Sequence, residues 1–281
     1  MLVDYHLHTV YSRHAVGSIE AYLARAKALE MEEVCFAEHS PRPFLPEKVQ
    51  ETIPYKWMRD HELEGYLTDV AEAAKKTPIR VRRGLEVDYF PGYDEAVGEF
   101  LTGLPLDFAL GTVHFMPSHD MQYITLIEEA PVTLLLEYFE YARQAVESGL
   151  FDSLAHIHLV WQAVPWPEGG SEELAVEEAL AEVVAAARAQ DMCLEINTRA
   201  FNFEGFGSRE VYQKYISLLA DYGVPITLGS DAHAVDQIGR NYPEIIRELH
   251  HHGIHEVAVF EKRERRMVPL GRKTTKVAVG R

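Results

Sequence analysis

Histidine fills 14 of the 281 positions, and several of those histidines stand in pairs or beside carboxylates. His6-Leu7-His8 sets two imidazoles two residues apart, and in extended chain such residues point to the same side, so both can grip one cation. His14 follows after a short turn. His156 and His158 repeat the spacing in AHIHL, and Glu38-His39, Glu86 in GLEVDY, His114 in GTVHF and Ser230-Asp231-Ala232-His233 complete the set. Imidazole and carboxylate donors without thiolate favour Zn, Mn or Fe, and Glu86 or Asp231 could bridge two ions. Cations held this close lower the pKa of a bound water toward about 7, orient an ester and stabilise charge on its nonbridging oxygens. The chemistry indicated is cleavage of a phosphate ester at a multinuclear metal site.

The elements that must position these residues are short β-rich runs alternating with amphipathic stretches, the pattern of repeated strand-helix units around a parallel sheet. Strands are expected at Leu2–Tyr5, Glu33–Ala37, Ile79–Glu86, Leu106–Val113, Asp152–Ala155, Met192–Asn197 and Pro225–Ser230, with a late run at Glu256–Phe260. Helices are expected from Ser18, a good N-cap residue, and over Ser171–Ala189. Each candidate ligand falls at or just after a strand end, where a barrel carries its site loops. A lone strand-end histidine is more often a hydrogen-bonded core residue than a ligand; a set of them around a ring is a site. Loops rich in proline and aromatics follow the second, fourth and fifth strands (SPRPFLPEK, FMPSHDMQY, VWQAVPWPEGG).

Bulk properties bound the partners. A formal net charge of -17 argues against a nucleic-acid-coating surface, and no apolar run approaches 18 residues, so no membrane partner is expected. A small-molecule phosphate ester is the expected substrate class. Cys35 and Cys193 lie in apolar runs, which suits buried thiols in a reducing cytoplasm. Residues 1–270 read as one domain, and 271–281 as a basic C-terminal tail.

Together HLH with His14, AEH, GLEVDYFPG, GTVHF, AHIH and LGSDAH resemble, in order and separation, the PHP (polymerase and histidinol phosphatase) family. The resemblance spans most of the chain. It implies an α/β fold, a distorted (β/α)7 TIM-like barrel, with three divalent or trivalent metal ions (Zn, Mn or Fe). The ligand sets it implies are His6, His8, Glu86 and Asp231 for one ion, Glu86, His114 and His156 for a second, and His14, His39 and His233 for a third. Glu86, Asp231 and His233 are then the expected catalytic groups. Within the family the chain is most similar to the histidinol phosphate phosphatases, through HSPRP, EVDYFPG, GTVHF and INT. That implies a phosphomonoesterase of histidine biosynthesis.

Two departures fall on the substrate side. His158 stands where those phosphatases tend to carry Asp, and the usual NT-x-G-x-R run is here Asn197-Thr198-Arg199-Ala200-Phe201-Asn202. Of the loop arginines Arg13, Arg42, Arg199, Arg209 and Arg240, Arg42 and Arg199 are the expected phosphate ligands, with His158 as a further substrate contact. Tyr89, Phe115, Trp161 and Trp166 are candidates for a wall against the organic group. His250-His251-His252 before Gly253 reads as a helix end, and His61, His119 and His255, with no partner at a strand end, are not read as ligands. Competing readings are a phosphatase of nucleotides or sugars, a TIM-barrel amidohydrolase and a non-catalytic metal-binding module. No strand end offers the bridging Lys common in binuclear amidohydrolases.

Overall fold

A computed structural model describes residues 1–53, 57–128, 130–202 and 209–271. Seven parallel strands pair in chain order: β1 Val3–Leu7, β2 Glu33–His39, β3 Arg80–Asp88, β4 Phe108–Thr112, β5 Ser153–Leu154, β6 Cys193–Asn197 and β7 Ile226–Gly229. The ring nearly closes where Leu7 bridges Ala232, with the His8 amide donating to the Ala232 carbonyl at 3.0 Å. This is the seven-unit α/β barrel expected of the strand-helix alternation. Every residue of β1, β2, β4 and β6 is buried, as parallel strands covered on both faces must be.

Helices alternate with the strands as α1 Ile19–Ala28, α2 Leu63–Ala74, α3 Asp94–Thr102, α4 Pro131–Glu147, α5 Gly170–Ala189, α6 Arg209–Tyr222 and α7 Tyr242–His251. Ser18 caps α1, its hydroxyl accepting from the Ala21 amide. After α7, Gly253 takes a φ of +80° and donates to the His250 carbonyl at 3.1 Å, so the histidine run closes the helix as its sequence indicates. None of the described helices is long and apolar enough to cross a membrane.

Strand ends differ from expectation in a consequential way. β1 runs on to Leu7 and β3 to Asp88, so His6 and Glu86 sit within strands and inherit their rigidity. The late run is no barrel strand: β8 Glu256–Glu261 pairs antiparallel with β9 Glu264–Pro269 across a turn in which Lys262 and Arg263 have φ of 52° and 65°. That turn lacks the Gly or Asn such a backbone favours, which hid the hairpin. It packs where strands begin. The Phe260 amide donates to Tyr5 Oη at 2.6 Å, Tyr5 Oη donates to Glu33 Oε1 at 2.5 Å, and Arg263 pairs with Asp152 at 3.0 Å. Of the tail, residues 272–281 lie outside the described residues, and Gly271 pairs with Met1, its amide donating to the Met1 carbonyl at 3.0 Å.

Candidate metal centre

The C-terminal ends of the strands converge on Glu86, a carboxylate 1% exposed. Its Oε1 lies 2.8 Å from His156 Nε2 and 3.5 Å from His114 Nε2. Its Oε2 lies 2.8 Å from His39 Nδ1, 3.6 Å from His6 Nε2 and 3.7 Å from His8 Nε2. Asp231, just past β7, sets Oδ1 3.4 Å from His8 Nε2 and 3.3 Å from His233 Nδ1. Potential ligand atoms gather within 4.8 Å of one another as His6, His8 and Asp231; His6, Glu86 and His156; His39, Glu86 and His114; and His8, His39 and His233. Eight of the nine sequence-derived ligands therefore fall into these groups. The ninth, His14, is exposed at the mouth, its ring 4.5 Å from that of His233.

A fixed tautomer shows which nitrogen each imidazole offers. His6 Nδ1 is 2.7 Å from Glu195 Oε1, His8 Nδ1 3.2 Å from Glu38 Oε1, His114 Nδ1 2.8 Å from Asp88 Oδ1 and His14 Nδ1 2.8 Å from the Ser12 carbonyl. Carboxylates and carbonyls accept, so each Nδ1 carries a hydrogen, and in the neutral ring each Nε2 keeps a lone pair for a metal. The Nε2 atoms of His6 and His8 face each other at 3.0 Å. Glu86 Oε2 and His39 Nδ1, both buried and close, are not aligned as a hydrogen bond. Donor atoms aimed at shared space without satisfying one another fit divalent cations.

Electrostatics support the same use. Burial pushes the Glu86 carboxyl up, but the His114, His39 and His6 imidazoles outweigh it and hold it well below the carboxylate range. Burial likewise opposes ionisation of Asp231, and His6, His233 and His8 overcome it. Burial drives the His39 pKa well down. His8 is the exception: burial lowers it, yet hydrogen bonds to Asp231 and Glu38 raise it to about 9.

Above this floor opens a cavity of about 620 Å³, walled by Arg13, Trp57, Tyr123, Arg199, Gln237 and Arg240 among others. Arg199 Nη1 reaches Asp231 Oδ2 at 3.3 Å, and Arg240 donates through Nη2 to the carbonyls of Ser230 and Asp231, each at 2.7 Å. Arg199 thus lines the cavity beside Asp231. Arg42 does not line the cavity; it is buried against Asp88, with Nε at 3.0 Å and Nη2 at 2.7 Å from Oδ2. His158 also lies behind the wall, buried, its ring 5.7 Å from Tyr212 and 5.9 Å from Trp161. Tyr89, Phe115, Trp161 and Trp166 pack in the interior; the aromatic walls are Trp57, stacked on His39 at 3.7 Å, and Tyr123, stacked on His114 at 5.6 Å. Of the supporting carboxylates, Glu38 and Asp88 were visible in the sequence only as neighbours of His39 and Glu86, and Glu195 stands near no candidate metal ligand in the chain; strand side-chain directions decide their roles.

A family model of the PHP domain matches residues 4–199. The chain belongs to the PHP domain family. Among similar curated proteins, a histidinol-phosphatase of Lactococcus lactis subsp. lactis is 25% identical over 268 residues, spanning 92% of this PHP chain and 94% of that protein. One of Bacillus subtilis is 26% identical over 264 residues, spanning 85% and 96%. Among solved structures, the Lactococcus lactis histidinol phosphate phosphatase complexed with Zn, L-histidinol and phosphate superposes with a TM-score of 0.79 at 22% identity, covering 94% of this chain and 98% of that one. The shared fold is a PHP barrel, and the histidine and carboxylate clusters give this PHP chain a site for divalent metal.

Proposed function

We propose that this PHP protein is a histidinol-phosphatase, a divalent-metal-dependent phosphoric monoester hydrolase that turns L-histidinol phosphate and water into L-histidinol and phosphate. One observation carries the reading. A floor of metal-competent ligands around Glu86 and Asp231 opens into a single cavity whose wall supplies the cations Arg13, Arg199 and Arg240. The substrate follows from relatives of matching length that bear this activity in their names.

The proposed occupancy is three ions: one on His6, His8, Glu86 and Asp231, one on Glu86, His114 and His156, and one on His14, His39 and His233. Zinc, the metal of the Lactococcus protein, is the first choice over Mn or Fe. Bound divalent ions supply Lewis acidity and a water acidified toward neutrality. The chain does the rest. Glu86 and Asp231 stay ionised and keep the floor anionic, while His233 forms the more open edge of the catalytic set. Arg199, partly exposed beside Asp231, has donors in the planar fork that suits phosphoryl oxygens. Trp57 and Tyr123 give the organic half an apolar surface. Residues 1–270 are proposed as one domain, and a cytoplasmic setting agrees with two free, buried cysteines.

Elemental analysis of the purified protein, with phosphate release from L-histidinol phosphate, nucleoside monophosphates and sugar phosphates, tests this. Histidinol phosphate is expected to exceed the other esters about 100-fold or more in kcat/KM. A higher rate on a nucleotide or sugar phosphate overturns the substrate, and no release from any ester by metal-replete protein overturns the phosphatase.

A further inference from the structure

The geometry points to Arg42 as a positioning residue that holds two metal-ligand imidazoles at once, rather than as a phosphate ligand. Its guanidinium sends Nε and Nη2 to a single oxygen of Asp88, Oδ2, at 3.0 and 2.7 Å. The other oxygen, Oδ1, is left for His114 Nδ1 at 2.8 Å. Arg42 thereby fixes the rotation of the Asp88 carboxylate, and Asp88 fixes which His114 nitrogen faces Glu86. A second line leaves from the flat face of the same group. The guanidinium carbon sits 4.9 Å from the ring centres of both Trp57 and Phe115, and Trp57 stacks on His39 at 3.7 Å with 16° between planes. One buried cation resting against two neighbouring rings, their centres 5.7 Å apart, thus braces His114 through Asp88 and His39 through Trp57, and these two imidazoles share the group centred on Glu86.

The arrangement needs arginine. A planar fork can donate to Asp88 while the same delocalised cation rests against the Trp57 and Phe115 rings, whereas an ammonium is a compact, strongly hydrated point charge. The anchor comes from the loop after β2, while Asp88 ends β3 and His114 follows β4, so a single side chain ties three successive strand ends. The inference rests on the cluster being a metal centre and is independent of the substrate.

The test is Zn²⁺ affinity and stoichiometry by chelator competition, with no ester present, alongside inhibition by inorganic phosphate at saturating zinc. Arg42→Met is expected to weaken zinc binding about 10–100-fold while leaving the phosphate inhibition constant unchanged. Arg42→Lys should recover part of the loss. Asp88→Asn should weaken zinc similarly, and the double variant should be no worse than the more affected single one, since both act along one line. Wild-type zinc affinity in Arg42→Met with weakened phosphate inhibition overturns the inference in favour of a phosphate ligand, and additive losses overturn the shared line. Should Arg42→Met fail to fold, near-isosteric Asp88→Asn decides alone: unaltered zinc binding overturns it.

Discussion

His6 and His8 hold their Nε2 atoms 3.0 Å apart, while their Nδ1 atoms are committed to Glu195 and Glu38. Only one proton fits between the two facing nitrogens, and the anions around them retain it: His8 is raised to about 9 from an ordinary 6.5. In the metal-free chain that proton stabilises the fold fully below pH 6.5, and the contribution is lost as pH rises through 9. Metal must expel it. Zinc binding at pH 7 should therefore release about one proton from this pair, and affinity should climb with pH toward 9. Calorimetry in buffers of different ionisation enthalpy reads the release; a pH-independent affinity from 6.5 to 9 would sink the shared proton.

Gly229 is where strand and site compete for space. A Cβ there would stand 2.3 Å from Glu195 Oε1 and 2.5 Å from His6 Cβ, so only glycine lets the pair that orients His6 pass over β7. Gly229→Ala should lower zinc affinity at least about tenfold and cost about 1–3 kcal/mol of stability through overpacking. Chelator competition and thermal melting of one preparation check both, and a variant with intact zinc affinity refutes the spacing argument.

Asp231 carries its carboxylate on a left-handed backbone, φ 50°. Asp tolerates this better than Ala, and Gly adopts it freely. Asp231→Gly and Asp231→Ala should both lose turnover by orders of magnitude, yet in chelator the Gly variant should be about 1 kcal/mol more stable than the Ala variant. Equal melting midpoints would contradict the backbone reading.

At the opposite end, Tyr5 Oη links Glu33 to the Phe260 amide. Tyr5→Phe leaves both buried groups short of a partner, at a cost of about 1–3 kcal/mol. Zinc content and kcat are expected to stay at wild-type values, because the hairpin meets the barrel where strands start. A fall in kcat with zinc retained would show the two ends coupled.

The candidate ligands were legible because two local regularities, period-two spacing and placement at strand ends, are written directly into HLH, AHIH and SDAH. Side chains whose roles depend on distant partners were not. Arg42 read as a phosphate ligand because its loop position is visible in sequence and its burial against Asp88, on another strand, is not. His158 shares the spacing of His156 but lies past the two residues of β5, so the alternation that would aim both at the site no longer applies. The barrel followed from alternation; the terminal hairpin escaped because β9, ERRMVP, is too charged to read as a strand.

The barrel's seam adds a last point. β1 and β7 meet through the Leu7–Ala232 bridge, and the residues on either side of it are His6, His8, Asp231 and His233. A cation shared by His6, His8 and Asp231 is therefore a reversible cross-link that closes nearly the whole chain into one loop. By chain entropy, such a closure is worth on the order of 5 kcal/mol. The fold's cohesion becomes a function of metal supply: starved of metal, the cylinder should part along this seam first.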